Sequence, residues 1–350
     1  MSPRLYMRPA ATIFFRFGTC LLIITLASLC IKAQSIKRQQ LFSTDSLLHC
    51  TLQTDFKKLQ EDKNDSIYQP ASISLGTGNQ LVKDELGIKA RGVQRRAICE
   101  TPPLMLDFKK PGNGPLKKLG KLKLVNACSK NWQDEQQVLK EYLVYKMYNL
   151  LTPKSFLVRL AKVQYINSPA GGSYEQYAFF IEDTDDMAAR NNCKEHNTPM
   201  LTEQTNRRQM TLLAIFQYMI GNTDWAVPVL KNIKLITSKN KQDSVPYAVP
   251  YDFDYSGMVN ARYAAPHPEF ETETVKDRVY RGFARNMAEI NTVLDSLRQH
   301  KTDFYNLVKN CTGLQTAQKK EMTWYLDDFY KLADDPRKIK EIFIDHARTQ

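Results

Sequence analysis

Histidine is scarce in this chain of 350 residues: there are five, His49, His196, His267, His300 and His346, spread along its length. That dispersal argues against a metallohydrolase or a histidine-based triad, which need imidazoles gathered beside carboxylates or a nucleophile. No Cys-x-x-Cys pair occurs, so a structural zinc site has no support. Gly-x-Ser-x-Gly and Gly-x-Gly-x-x-Gly are also missing, which removes the hydrolase elbow and the common phosphate loop. With 14 Gly and 16 Pro against 43% apolar and 25% charged residues, collagen-like, low-complexity and largely disordered chains are excluded. What remains is a globular protein, long enough for two domains or one large bilobal one.

Basic residues outnumber acidic ones, 49 to 37. Arg4, Arg8, Arg16 and Lys32 supply four of the excess charges, so residues 35–350 carry +8. That balance suits an acidic or phosphorylated ligand. No nucleic-acid-reading motif appears, so no nucleic-acid partner is expected. Residues 17–31, FGTCLLIITLASLCI, form an apolar run after a basic start. It falls short of the ~20 residues a bilayer-spanning helix needs and reads as a signal-peptide core. Residues 1–34 are therefore expected to be a signal peptide cut after Ala33 or Gln34, with a retained anchor or a lipoprotein signal at Cys30 as the rivals. The expected destination is the periplasm, cell envelope or exterior, and no transmembrane helix is expected in the mature chain.

Five cysteines follow that segment: Cys50, Cys99, Cys128, Cys193 and Cys311. Cys99 and Cys128 each end a strand-like stretch, IKARGVQRRAIC and KLKLVNAC. If those strands pair, an exported protein permits a disulfide between them; five buried free thiols are the alternative.

Residues 35–65 are polar and weakly periodic, a short helix or flexible entry. Short alternating or β-branched runs follow at Tyr68–Leu75, Leu86–Arg91, Leu104–Lys109 and Lys121–Val125, separated by GTGN, TPP and PGNGP, the turn chemistry of a meander. A strong helical period runs from Asp134 to Leu151 before Pro153, and FLVRLAKVQYI and YEQYAFFIED predict a hairpin. Beyond Asp185 helices dominate: one ending near Gly221, then a strand pair at KNIKLI and YAVPYDFDY, then helices over 272–298, 300–311 and 315–346. The pattern predicts an α+β architecture of two lobes, 35–184 mainly β and 185–350 mainly α.

Gly221-Asn222-Thr223-Asp224-Trp225 precedes one strand of that pair, and Pro250-Tyr251-Asp252-Phe253-Asp254-Tyr255 lies in the other. Three carboxylates and an amide around one hairpin suit phosphoryl transfer. One carboxylate orients or deprotonates the acceptor hydroxyl, and an Asn with a second Asp holds the divalent ions that bridge the phosphates. With Ile88-Lys89-Ala90-Arg91-Gly92, LKEYLVYKMYNLL and SFLVRLAKVQYI, this succession resembles the CotH kinase family over roughly residues 85–285. The resemblance implies a protein-kinase-like fold, with an antiparallel-sheet lobe carrying one inserted helix and a mainly helical second lobe. It also implies use of Mg2+ and ATP. It assigns Asp224 as the catalytic-loop aspartate, and Asn232 and Asp252 as metal ligands, with Asp254 beside them. Lys109 or Lys123 is the phosphate-binding lysine, Lys109 favoured, and Arg91 and Glu141 complete the nucleotide site. Seven residues separate Asp224 from Asn232, where familiar kinases have four, which requires a bulged loop or the substitution of Asn222. The function this implies is phosphate transfer from Mg-ATP to a hydroxyl of a protein or envelope component. The rival is a catalytically inactive binding or scaffold protein of the envelope. A glycosidase built on Asp252 and Asp254 is disfavoured, because i and i+2 carboxylates of one strand sit too close for an inverting pair.

Overall fold

The computed structural model describes Met1 and residues 38–62, 66–77, 80–111, 114–240 and 243–349. Met1 aside, the expected signal segment lies outside the described residues. Seven strands close on themselves: β1 (Leu48–Thr54), β2 (Gln69–Thr77), β3 (Gln80–Ala90), β4 (Leu104–Asp107), β5 (Lys121–Val125), β6 (Val158–Asn167) and β7 (Ser173–Ile181). Their order is β1-β2-β3-β4-β5-β7-β6, and closure comes from a parallel pairing of β1 with β6, from Leu48 opposite Ala161 to Thr54 opposite Asn167. The other neighbours are antiparallel.

This closed, mixed barrel overturns the expected two-lobed, protein-kinase-like fold with an open antiparallel sheet. The cause lies in the segment read as a polar entry. Leu48, Cys50, Leu52 and Thr54 alternate with more exposed neighbours, the period of two that places one row of side chains in a core. Between α1 (Arg38–Leu41) and α2 (Phe56–Asp62), this stretch becomes the strand that removes both free edges of the sheet.

The barrel is filled rather than hollow: Ile73, Leu86, Ile88, Leu106, Leu122 and Phe180 are among its buried side chains. Arg159, near the start of β6, points into it and donates to Leu41 O (3.0 Å), Thr44 Oγ1 (2.6 Å) and Ser46 Oγ (2.9 Å), tying down the chain after α1. Six residues further on, Tyr165 stacks on Tyr174 and meets Phe56 of α2 edge-on.

A short helix, α3 (Gln94–Ile98), stands where a strand was expected ahead of Cys99. The helix α4 (Trp132–Leu151) is capped by Asn131, whose side chain accepts from Gln133 N, and carries Asp134 and Glu135 in its first turn. One side packs on the barrel, with Tyr142 and Tyr145 against Phe179; Tyr145 and Tyr148 also reach Phe253. Beyond the barrel come α5 (Thr184–Arg190), β8 (Cys193–His196), α6 (Arg207–Met219), β9 (Ile233–Ser238) and β10 (Tyr247–Pro250), the three strands forming a sheet in the order β10-β9-β8. The chain ends with α7 (Met287–Gln299), α8 (Lys301–Asn310), α9 (Thr316–Ala333) and α10 (Pro336–Lys340). Residues 272–286, expected to be helical, are not. Cys99 and Cys128 form a disulfide, while Cys50, Cys193 and Cys311 are free and buried. Among the described residues no helix is long and apolar enough to cross a membrane.

Candidate functional site

Pairing of Ile233 with Pro250, extended by Tyr251 N donating to Asn232 O (3.0 Å), sets Asn232 and Asp252 at the same end of the β9–β10 hairpin. Both take left-handed backbone conformations, φ 52° and 63°, which Asn and Asp tolerate better than other side-chain-bearing residues. Asp252 N donates to Tyr145 Oη of α4 (2.7 Å). Two residues on, the buried Asp254 carboxylate accepts from Tyr263 Oη (2.9 Å).

The Asp224 loop is fastened to this segment by its backbone. Gly257 N donates to Gly221 O, and Met258 N to Ile220 O, both at 3.0 Å. Gly221 has φ 65°, and a Cβ there would lie 2.0 Å from Tyr325 Oη, so a larger residue strains the backbone and must displace the Tyr325 side chain. Asn222 accepts from Asp224 N through its side chain (3.0 Å), and Arg281 donates to Thr223 O and Trp225 O. The seven intervening residues do not separate Asp224 from Asn232, because Ala226 and Lys231 exchange backbone bonds (2.9 Å each) and fold 227–230 into a turn. Asn232 Nδ2 then donates to Asp224 O (2.7 Å) and Oδ2 (2.9 Å), while Lys231 Nζ lies 2.5 Å from Asp224 Oδ1.

Cationic groups approach from the barrel side. Arg91 follows β3, with its N–H on Pro103 O (2.8 Å); Arg95 belongs to α3, and Lys123 to β5. The disulfide fastens the end of α3 to the chain leaving β5. Arg95 Nη2 on Asn126 O and Asn126 Nδ2 on Thr101 O (3.2 Å) repeat that link. Glu141 is buried on α4.

Burial, then repulsion from Asp254 and Asp252, pushes the Glu141 carboxyl well above its usual range against the pull of Arg95 and Arg91. Asp254 is raised to about 7, first by burial and then by Asp252, with Arg95 and the Tyr263 hydroxyl opposing. Lys123 is lowered to about 8 by burial and by its neighbours Arg91 and Lys234. Arg91 is lowered by burial, which Asp252 opposes; Arg95 is raised, since Tyr263, Asp254, Glu141 and Asp252 outweigh its burial. These groups feel one another without touching. Among the described residues none of Arg91, Arg95 and Lys123 has a carboxylate oxygen within 4.0 Å, and Arg91 Nε and Arg95 Nε are buried without a hydrogen-bond partner.

The sequence-derived residues thus divide. Asp224, Asn232, Asp252, Asp254, Glu141 and Arg91 converge here. Lys109 does not: it is exposed in the turn after β4, its N–H on Asp107 Oδ1 (3.0 Å), whereas Lys123, the other lysine considered, stands near Arg91 and Asp252. Glu141 faces the two arginines rather than a lysine. Tyr145, Tyr263 and Lys231 were missed, since each becomes relevant only through a partner distant in sequence or a turn not visible in the pattern. No group of three or more His, Cys, Asp or Glu side chains among the described residues is arranged to hold a metal ion. Asp252 and Asn232 carry hard oxygen donors at the same end of the β9–β10 hairpin. A cavity of about 470 Å3 between α4 and α8, lined by Leu143, Lys146, Leu307 and Cys311, is separate from this site.

No protein-family model matches the chain, and no curated protein matches it.

Proposed function

We propose that the chain is an exported phosphotransferase that takes the terminal phosphate of Mg-ATP to a hydroxyl of a protein or envelope component. The observation that carries this reading is the convergence of three cations and three carboxylates, Arg91, Arg95 and Lys123 with Glu141, Asp252 and Asp254, none paired directly with another. Ionisable groups buried near one another without direct partners are costly unless something bridges them. The carboxylates would hold the cation of a metal–polyphosphate, and the guanidinium and ammonium groups its oxygens.

In this reading Asp252 and the Asn232 amide oxygen would hold Mg2+, with Asp254 two residues on. When bound, Mg2+ offsets charge on the phosphate oxygens. Lys123, Arg91 and Arg95 grip the phosphates, and Asp224, fixed by Asn232 and Lys231, orients the acceptor hydroxyl. These roles follow from the side chains and not from a kinase-like fold, which the closed barrel excludes. The Cys99–Cys128 disulfide supports an oxidising compartment.

One observation favours a non-catalytic binding protein instead: both carboxylate oxygens of Asp224 are already engaged, one by Lys231 and one by Asn232. Thermal unfolding of the full chain with and without Mg-ATP tests the site. Saturation a hundredfold above Kd adds about 2.7 kcal/mol, a rise of several degrees. Asp252→Asn, which keeps the left-handed backbone, is expected to abolish that rise. No rise at millimolar Mg-ATP sinks the nucleotide reading; a rise without phosphate transfer leaves the binding protein.

A further inference from the structure

The outer face of β3, β4 and β5 is built from two cross-strand rows. Lys89, Met105 and Lys123 stand opposite one another in one row, and Gly87, Asp107 and Lys121 in the next. Tyr68 lies over Gly87, where a Cβ would come within 3.1 Å of the Tyr68 Cβ. Around its ring stand Lys89 Nζ and Lys110 Nζ, each 5.0 Å from the centroid, and Lys121 Nζ at 5.9 Å. Asp107, the carboxylate of this face, is buried and accepts from Lys109 N; the exposed Glu85 lies two residues before Gly87 on β3. Lys109, Lys110, Lys117, Lys118 and Lys121 are all exposed, and none makes an ion pair among the described residues.

Ordinary surface lysines alternate with acids. Here the ammonium groups of Lys110 and Lys121, neither in an ion pair among the described residues, share one aromatic ring, whose attraction partly offsets their mutual repulsion while an anionic partner would offset the rest. The stripe is also ordered. Lys121 and Lys123 are i and i+2 on one strand, about 6.7 Å apart along it, which is the repeat at which an extended peptide presents side chains on one side. Met105 and the Tyr68 ring supply apolar surface between the charges.

We infer that this face is a docking surface for an extended peptide segment carrying acidic residues at alternate positions, laid from Tyr68 toward Lys123. Because Lys123 also borders the site described above, a peptide held here leads into it. The docking surface does not depend on the phosphotransferase reading, since peptide binding needs no nucleotide.

Fluorescence anisotropy of a short labelled peptide alternating Glu and Ser, titrated with the full chain without nucleotide, tests this. Expected is binding that weakens with added salt, that falls on the order of tenfold in Lys110→Gln/Lys121→Gln, and that is unchanged or stronger in Glu85→Gln. Far-UV circular dichroism of the variants shows that the barrel is retained. Absence of binding, or binding indifferent to the lysine substitutions, overturns the inference. Tighter binding of polyphosphate or of phosphatidylglycerol vesicles through the same lysines overturns it too, by replacing a peptide with a general polyanion surface.

Discussion

Lys140 and Glu141 are neighbours on α4, both buried, and they meet opposite fates. Lys140 Nζ sits 2.8 Å from Glu321 Oε2 of α9, and Lys276 Nζ is 2.8 Å from the other oxygen, so the charges close on one another. Those two lysines hold the Glu321 carboxyl down at about 2 against its burial. Glu141, one residue on, has no such partner among the described residues and is pushed up by burial and by Asp254 and Asp252. Arg262 on Asp134, bidentate at 2.7 and 2.8 Å, belongs to the first kind; Arg91 and Arg95 belong to the second. Directly paired charge holds elements together. Charge kept within reach but out of contact is the arrangement a ligand can complete.

The comparison can be broken most strongly at the disulfide. Replacing both Cys99 and Cys128 by Ser frees a 29-residue separation, with an expected loss of about 3.5 kcal/mol in urea unfolding. It should also weaken nucleotide binding, because the segment bearing Arg95 loses its tether. Next is Glu321→Gln, which leaves Lys140 buried without its anion and is expected to cost about 3 kcal/mol while leaving nucleotide binding intact. Smaller, and opposite in sign, is Glu141→Gln. Its folded carboxyl titrates above the unfolded value, so from about pH 4.5 upward the native state holds a proton that the unfolded chain has released. Stability therefore falls as pH rises through that window, by at most about 1.4 kcal/mol per pH unit. The Gln variant is expected to flatten that slope in urea titrations across pH. Glu321 behaves in reverse: its stabilisation is present above about pH 4.5 and is lost as pH falls toward 2, so Glu321→Gln should flatten the acid limb alone.

Much of the local structure was legible because it is local. Alternation marked β2 to β7, the 3.6-residue period marked α4, and Gly221 marked the end of the helix now seen as α6. The barrel was not legible, because closure rests on β1, whose outward residues His49, Thr51 and Gln53 blur the apolar row, and on its partner β6, more than a hundred residues away. QRRAI read as strand from its neighbours and forms a helical turn instead. In the site, the aspartates and Asn232 were visible as a motif. The Ala226–Lys231 bridge that brings Asp224 to Asn232 was not. Lys109 and Lys123 were indistinguishable by residue type, and only the strand register sets Lys123 in the row that ends near Asp252, leaving Lys109 in an exposed turn.

Isothermal titration of Mg-ATP into the wild-type chain, Arg91→Gln and Glu321→Gln tests most directly whether the unpaired charges, and not the paired ones, form the ligand site. The account predicts one saturable site in the wild type, its retention in Glu321→Gln and its loss in Arg91→Gln. Equal binding by wild type and Arg91→Gln, or no binding by a folded wild-type chain, would contradict it.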